Sequence, residues 1–199
     1  MKVSRQPHCH RSCLHPHWRE SAFSLYEVIV CLIVLSILSV IAIPGFQQLI
    51  ASQRITGAVN DLVTALHLAR SEAIKRKEQA VLCPSVNGQL CLSPVAGSTA
   101  WDTGYLLFID RNGNHAMDAD ETIVRIFDAS EDLTIRSTAG RSQVSYYPNG
   151  LTPGSNLTIT FCDKYGRVKP RAVILSNYGR ARTSTRAADG SAILCPETV

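Results

Sequence analysis

Apolar and polar residues follow three different periods along the chain. From Phe23 to Ile43 the only charged residue is Glu27, and the rest is overwhelmingly apolar. As a helix this stretch is about 31 Å long, enough to cross a bilayer. After Pro44-Gly45 the pattern changes. Ile55, Val59, Leu62, Leu66, Ala69 and Ala73 recur at spacings of three and four, which predicts an amphipathic helix with one buried stripe. It should end near Lys77, where Arg76 and Lys77 suit the negative end of the helix. Pro44 lacks a backbone donor and is expected to kink or locally melt the helix. Beyond residue 79 the apolar residues come in short runs, at 105–109, 122–127, 133–137, 143–147, 157–161 and 172–175. Asn112-Gly113, Pro148-Asn149-Gly150, Pro153-Gly154 and Tyr165-Gly166 separate them as turn signals.

This pattern predicts an α+β fold. A long N-terminal helix, membrane-spanning in its first half and amphipathic in its second, packs on a small antiparallel β-sandwich or meander. The expected divisions are a leader at 1–22, a transmembrane helix at 23–43, an amphipathic helix at 44–78 and a β-rich domain at 79–199.

Charge is distributed unevenly. The chain of 199 residues carries a net charge of +4. Residues 1–22 hold Lys2, Arg5, Arg11 and Arg19 against Glu20. A basic flank marks the cytoplasmic side of a membrane segment. Residues 101–135 hold eight acids and two bases, whereas residues 162–199 hold seven bases and three acids. A basic C-terminal part suggests a polyanionic partner.

Seven cysteines sort by compartment. Cys9 and Cys13 lie in the leader with His10, His15 and His17, a set like metal ligands but on a short polar segment. Cys31 lies in the apolar run, where a single thiol acts as a small apolar residue. Cys83, Cys91, Cys162 and Cys195 remain, an even set that fits an oxidising compartment beyond the membrane. Three pairings are possible. Cys83 with Cys91 and Cys162 with Cys195 are favoured. The first closes a loop containing Pro84, Asn87 and Gly88, and the second staples the C-terminal tail to a strand. Zinc is the rival use, but the chain has no C-x-x-C pair.

The order of elements around Ala22 excludes an ordinary secretory signal, because the small residue precedes the apolar core. Ala22-Phe23-Ser24-Leu25-Tyr26-Glu27 resembles a type IV prepilin leader. Phe23, Leu25 and Glu27 match that pattern, while Ala22 stands for the usual Gly and Ser24 for Thr. The alternative is a plain signal anchor. The resemblance implies cleavage between Ala22 and Phe23 by a prepilin peptidase, and methylation of the new amino terminus. It implies an inner-membrane protein, single-pass with a periplasmic C-terminal domain, assembled with other pilins and minor pilins into a pilus or pseudopilus. A carboxylate costs about 2.5–3.5 kcal/mol at a bilayer centre, so Glu27 should have a partner. In the family's filaments that partner is the Phe23 amine of a neighbouring subunit.

Further along, Leu68-Ala69-Arg70-Ser71-Glu72-Ala73-Ile74-Lys75 followed by Val81-Leu82-Cys83 resembles the FimT/GspH branch of minor pilins and pseudopilins. Gly104–Asp110, the strand at 121–125 and the C-terminal Gly-Arg strand extend the resemblance over nearly all of residues 22–195. A type IV pilus is favoured over type II secretion.

Two candidate chemistries compete in the mature chain. Asp110, Asn112, Asn114, Asp118 and Glu121 occupy positions 1, 3, 5, 9 and 12 of a calcium-loop pattern, with the Ala116 carbonyl at 7. Position 6 is His115 instead of Gly, and the flanks read as strands, so an acidic turn is the simpler assignment. Neither an enzyme, a cofactor nor a resident metal is expected. His67 and His115 are the only mature histidines, and no nucleophile–base set accompanies them.

The second chemistry is phosphate binding. On an extended segment Arg180 and Arg182 point to one face, and Gly179 permits a tight turn. Lys164, Arg167, Lys169, Arg171 and Arg186 lie nearby in sequence. Guanidiniums in such a row grip phosphates without reading bases. Gly179-Arg180-Ala181-Arg182 matches the Gly-Arg-x-Arg motif that in some FimT-like pilins is linked to DNA capture during natural transformation. The leading expectation is a minor pilin that binds DNA without sequence preference. The alternative is a purely structural pseudopilin that primes or caps a filament, with the basic residues guarding a sheet edge.

Overall fold

The helix α1 (Leu25–Arg76) carries both sequence periods in one 52-residue element. The computed structural model describes residues 23–92 and 97–195. The chain divides between Ala42 and Ile43 into two units. In the first, Ser24 caps the helix: its Oγ accepts the Glu27 amide at 3.3 Å. Ser24-x-x-Glu27 is the spacing of a capping box. The apolar side chains here face outward, including Leu25, Leu32, Leu35 and Val40. Two polar residues among them satisfy themselves on the helix: the Ser36 and Ser39 hydroxyls donate to the Ile33 and Leu35 carbonyls, both at 2.7 Å.

Taken separately on either side of residues 41–44, neither stretch of α1 is long and apolar enough to cross a membrane. Leu25–Val40 and Gly45–Arg76 together are, by length and composition.

In the second unit the expected stripe is the buried face. Ile55, Val59, Leu62, Leu66, Ala69 and Ala73 are each at most 2 % exposed, joined by Ala51 and Ala65. The helix stops at Arg76, one residue short of the expected end. Lys77 follows with a φ of 59°. That left-handed conformation is how helices commonly terminate, although glycine is the usual occupant.

Eight strands follow: β1 (Gln79–Pro84), β2 (Tyr105–Asp110), β3 (Thr122–Phe127), β4 (Leu133–Ser137), β5 (Val144–Tyr146), β6 (Leu157–Asp163), β7 (Arg171–Leu175) and β8 (Ala181–Ser184). They form two four-stranded sheets, ordered β3-β2-β1-β5 and β4-β6-β7-β8, with every pairing antiparallel. One core joins the helix stripe to Leu82, Leu107, Val144 and Tyr146 of the first sheet and to Ile135, Ile159, Phe161 and Val173 of the second.

Strands β1 and β2 of the first sheet are buried on both faces, whereas β3 at its edge is largely exposed. Val81, Cys83, Leu106 and Phe108 form a second cluster covered by Cys91 and Met117. This explains why Tyr105–Asp110 reads as a continuous apolar run instead of an alternating one. Cys83 and Cys91 are bonded at that second cluster.

On the second sheet, Cys162 is bonded to Cys195, and Ile193 of the tail is buried. The tail turns back on itself through a bridge between Arg186 and Ala192.

Candidate functional site

β7 and β8 form a hairpin, and β8 is the free edge of its sheet. Leu175 pairs with Ala181 and Ile174 with Arg182. Val173 and Leu175 belong to the core, and Ala181 packs against it. The period of two therefore sends Arg180 and Arg182 to the opposite face, and both are exposed. The Ser176 amide donates to the Arg180 carbonyl at 3.1 Å. By the alternation of an antiparallel ladder, residues 180, 182 and 184 direct their backbone groups toward β7. Residues 181 and 183 then direct theirs outward. Among the described residues nothing pairs with this edge, which offers guanidiniums and outward backbone amides in alternation.

The turn that aims this strand is held from three sides. Gly179 has a φ of 71°. A Cβ there would stand 2.4 Å from the Gly150 carbonyl oxygen and 2.9 Å from Tyr146 Cε1, so only glycine fits. The Gly179 carbonyl accepts from Arg70 Nη1 at 3.2 Å and from the Tyr146 hydroxyl at 3.3 Å. Thr152 adds two bonds: its amide donates to the Asn177 carbonyl at 2.9 Å and its hydroxyl to the Ser176 carbonyl at 2.8 Å. Burial pushes the Tyr146 phenol well above its ordinary range, with the Arg70 guanidinium opposing. The phenol thus stays a donor at neutral pH. Sequence reasoning missed Arg70, Tyr146 and Thr152 as supports. The signals present were the Pro148-Asn149-Gly150 turn and the place of Arg70 within the helix motif.

The remaining basic residues do not gather into one cluster. Arg171 and Leu175 mark opposite ends of β7, about 13 Å apart at roughly 3.3 Å per residue, so Arg171 and Arg180 lie at opposite ends of the hairpin. Arg182 lies between them. Arg186 stands at the start of the tail turn, where its Nη1 donates to the Gly190 carbonyl at 3.1 Å. Among the described residues Lys169, Arg171, Arg180, Arg182 and Arg186 have no carboxylate within salt-bridge distance.

Two predicted cations are engaged elsewhere. Arg167 grips Asp163 through Nη2 at 3.0 Å and Nε at 3.1 Å, and its guanidinium lies 4.4 Å from the Tyr165 ring centroid. The hydrogen bond from Arg167 holds the Asp163 carboxyl below its usual range, against its burial. Lys164 donates its ammonium to the Glu131 carbonyl.

The calcium-pattern residues do come together, but with their oxygens already bonded. The Asp110 carboxylate accepts the Gly113 and His115 amides at 2.7 and 2.9 Å. Glu121 accepts the Arg111 and Asp118 amides at 2.9 and 3.2 Å. Asn112 and Asn114 both donate to Asp118 at 2.7 Å. His115 takes a φ of 63°, the conformation glycine would have supplied. The loop is closed by its own carboxylates, and among the described residues no group of three or more acidic, Cys or His side chains is arranged to hold a metal.

At the other end of the chain, Phe23 just before α1 and Glu27 in its first turn are both exposed. Ala22, and the leader with Cys9 and Cys13, lie outside the described residues.

The model of the family described as "Type II transport protein GspH" matches residues 58–179. The chain therefore belongs to the GspH family, within the minor pilins and pseudopilins of the type IV pilus and type II secretion superfamily. No curated protein matches the chain significantly. Among solved structures, two crystal forms of the Pseudomonas aeruginosa type IV minor pilin FimU are similar. One is 18% identical with a TM-score of 0.51, covering 67% of this chain and 90% of that one. The other is 19% identical with a TM-score of 0.49, covering 65% and 91%. At this identity the first likeness bears on the fold alone.

Proposed function

We propose that this minor pilin binds DNA without sequence preference along β8, as part of a type IV pilus system used in natural transformation. The observation that supports this reading is the free edge strand. Arg180, just before β8, and Arg182 on it point to one exposed face, carry no carboxylate partner among the described residues, and alternate with outward backbone amides. Guanidiniums grip phosphate oxygens, and neither group distinguishes bases. Arg186 follows on the same segment beyond β8, Arg171 shares the alternation of Val173 and Leu175 and so lies on the other face, and Asp189 is the only acid among the described residues from 171 onward. Titration with duplex DNA at two salt concentrations tests the reading.

The anchor belongs to the same proposal. A prepilin peptidase cuts between Ala22 and Phe23, the apolar half of α1 holds the subunit in the inner membrane, and the β domain lies in the periplasm. The outward-facing apolar side chains from Phe23 to Ile50 support this, since so large a patch must be covered by lipid or by other helices. Glu27 pairs with the Phe23 amine of a neighbouring pilin. Mass spectrometry of the membrane form should find Phe23 at the N-terminus, and Met1 there would end this part.

A second reading is a purely structural subunit that primes or caps a filament. It is favoured by the position of β8 at a sheet edge, where charged side chains commonly prevent unwanted strand pairing.

A further inference from the structure

We propose that Tyr178 is a base-stacking residue, so that the tip of the β7–β8 hairpin takes a single-stranded segment of DNA. This rests on the reading that the arginines of the hairpin hold phosphates.

Tyr178 stands at the apex of the turn and is 69% exposed. Its neighbours are all tied down. The Gly179 amide donates to the Ser176 carbonyl at 2.9 Å, and Ser176 is bonded to Arg180. Thr152 holds the carbonyls of Ser176 and Asn177, while Arg70 and Tyr146 hold that of Gly179. The turn is therefore fixed while the ring it carries remains in water. A rigid turn presenting an aromatic face loses little conformational entropy on binding.

Charge and ring are also correctly combined. Arg180 follows Tyr178 by two residues, and Arg182 by four. A strand that lays its phosphates along this edge has bases to place, and an exposed phenol offers them a face. Stacking of this kind tolerates any base. Inside a duplex the base faces are already stacked, so the ring has nothing to gain there.

Tyr165 provides the contrast. It is 67% exposed, but the Arg167 guanidinium already lies over its ring, and Asp163 holds that guanidinium in place. Exposure alone does not distinguish the two tyrosines. Among the described residues, no cation lies over the Tyr178 ring and no carboxylate pairs with the arginines beside it, and this distinguishes them.

The experiment compares the full chain in detergent with its Tyr178→Ala and Tyr178→Trp variants. Each is titrated with a labelled single-stranded oligonucleotide and with a blunt duplex of the same length at one fixed, low salt concentration. Tyr178→Ala should weaken single-strand binding about 5- to 150-fold and leave duplex binding within about twofold. Tyr178→Trp should restore single-strand binding, and its emission should be quenched by the single strand but not by the duplex. If the wild type binds DNA and Tyr178→Ala changes both ligands equally or neither, the stacking role is overturned and phosphate binding stands. If the wild type binds neither ligand at low salt, the DNA reading itself fails and this inference with it.

Discussion

Arg70, on the amphipathic half of the helix, donates a hydrogen bond to the backbone carbonyl of Gly179 at 3.2 Å. Residues 109 apart in sequence are thereby joined, and the hairpin that carries Arg180 and Arg182 is fixed to the helix. Tyr146 makes the same contact from the neighbouring sheet.

Gly179→Ala should break this joint. Its φ of 71° is strained for alanine, and the added methyl meets the Gly150 carbonyl and the Tyr146 ring. Gly140 supplies the control: its φ is 74°, but nothing lies within 4 Å of an added Cβ. Gly140→Ala should cost about 1–2 kcal/mol, the strain alone. Gly179→Ala should cost clearly more in denaturant unfolding. Equal costs would mean that the close approach at Gly179 is not a real constraint.

The disulfides should differ in strength. Cys83–Cys91 spans 8 residues and Cys162–Cys195 spans 33. The chain-entropy relation gives about 2.5 kcal/mol for the first and about 3.7 kcal/mol for the second. Unfolding of Cys91→Ser and Cys195→Ser variants should rank in that order. Four free thiols in the folded oxidised protein would contradict both bridges.

Acid should reveal the Asp163–Arg167 pair. The folded-state pKa of Asp163 is lowered, chiefly by the Arg167 hydrogen bond. The resulting stability is full above the unfolded carboxylate value of about 3.9 and is lost as pH falls through the lower folded value. Arg167→Gln should be less stable than the wild type at pH 7. The gap should narrow below about pH 4. A gap that is constant with pH would assign Arg167 a packing role only.

Glu27 and Ser24 can be separated. Ser24→Ala removes the helix cap and should cost about 1 kcal/mol of local helix stability, yet leave incorporation into filaments intact. Glu27→Ala should leave membrane insertion intact and sharply reduce incorporation, measured in sheared pilus fractions. Normal incorporation of Glu27→Ala would reduce Glu27 to a helix-terminal charge.

The legible parts of the fold were those with a clean local period. The helix stripe from Ile55 to Ala73 is legible because one face is buried throughout. The strand at 172–175 and the extended Arg180–Arg182 segment are legible from an apolar run followed by a turn-permitting Gly179, but their pairing into a hairpin is not. β1 is not legible, because Gln79–Pro84 is buried on both faces and so shows no alternation. It also pairs with Tyr105–Asp110 across a long loop. Sequence proximity placed Lys164 and Arg167 in the basic patch. It held no sign that Asp163 and the Glu131 carbonyl would take them. The supports of Gly179 come from a helix, a strand and a loop, and such convergence leaves no local pattern.

Titration of the full chain in detergent with duplex DNA at two salt concentrations tests the central claim most directly. The wild type should bind any sequence alike, and binding should weaken steeply with salt. Arg180→Gln with Arg182→Gln should keep the fold, weaken binding strongly, and lower the log–log salt slope by about 1.8, two phosphate contacts at about 0.9 each. If the double variant binds like the wild type, or if neither binds at low salt, the edge strand is not a DNA site and the subunit is a structural pilin.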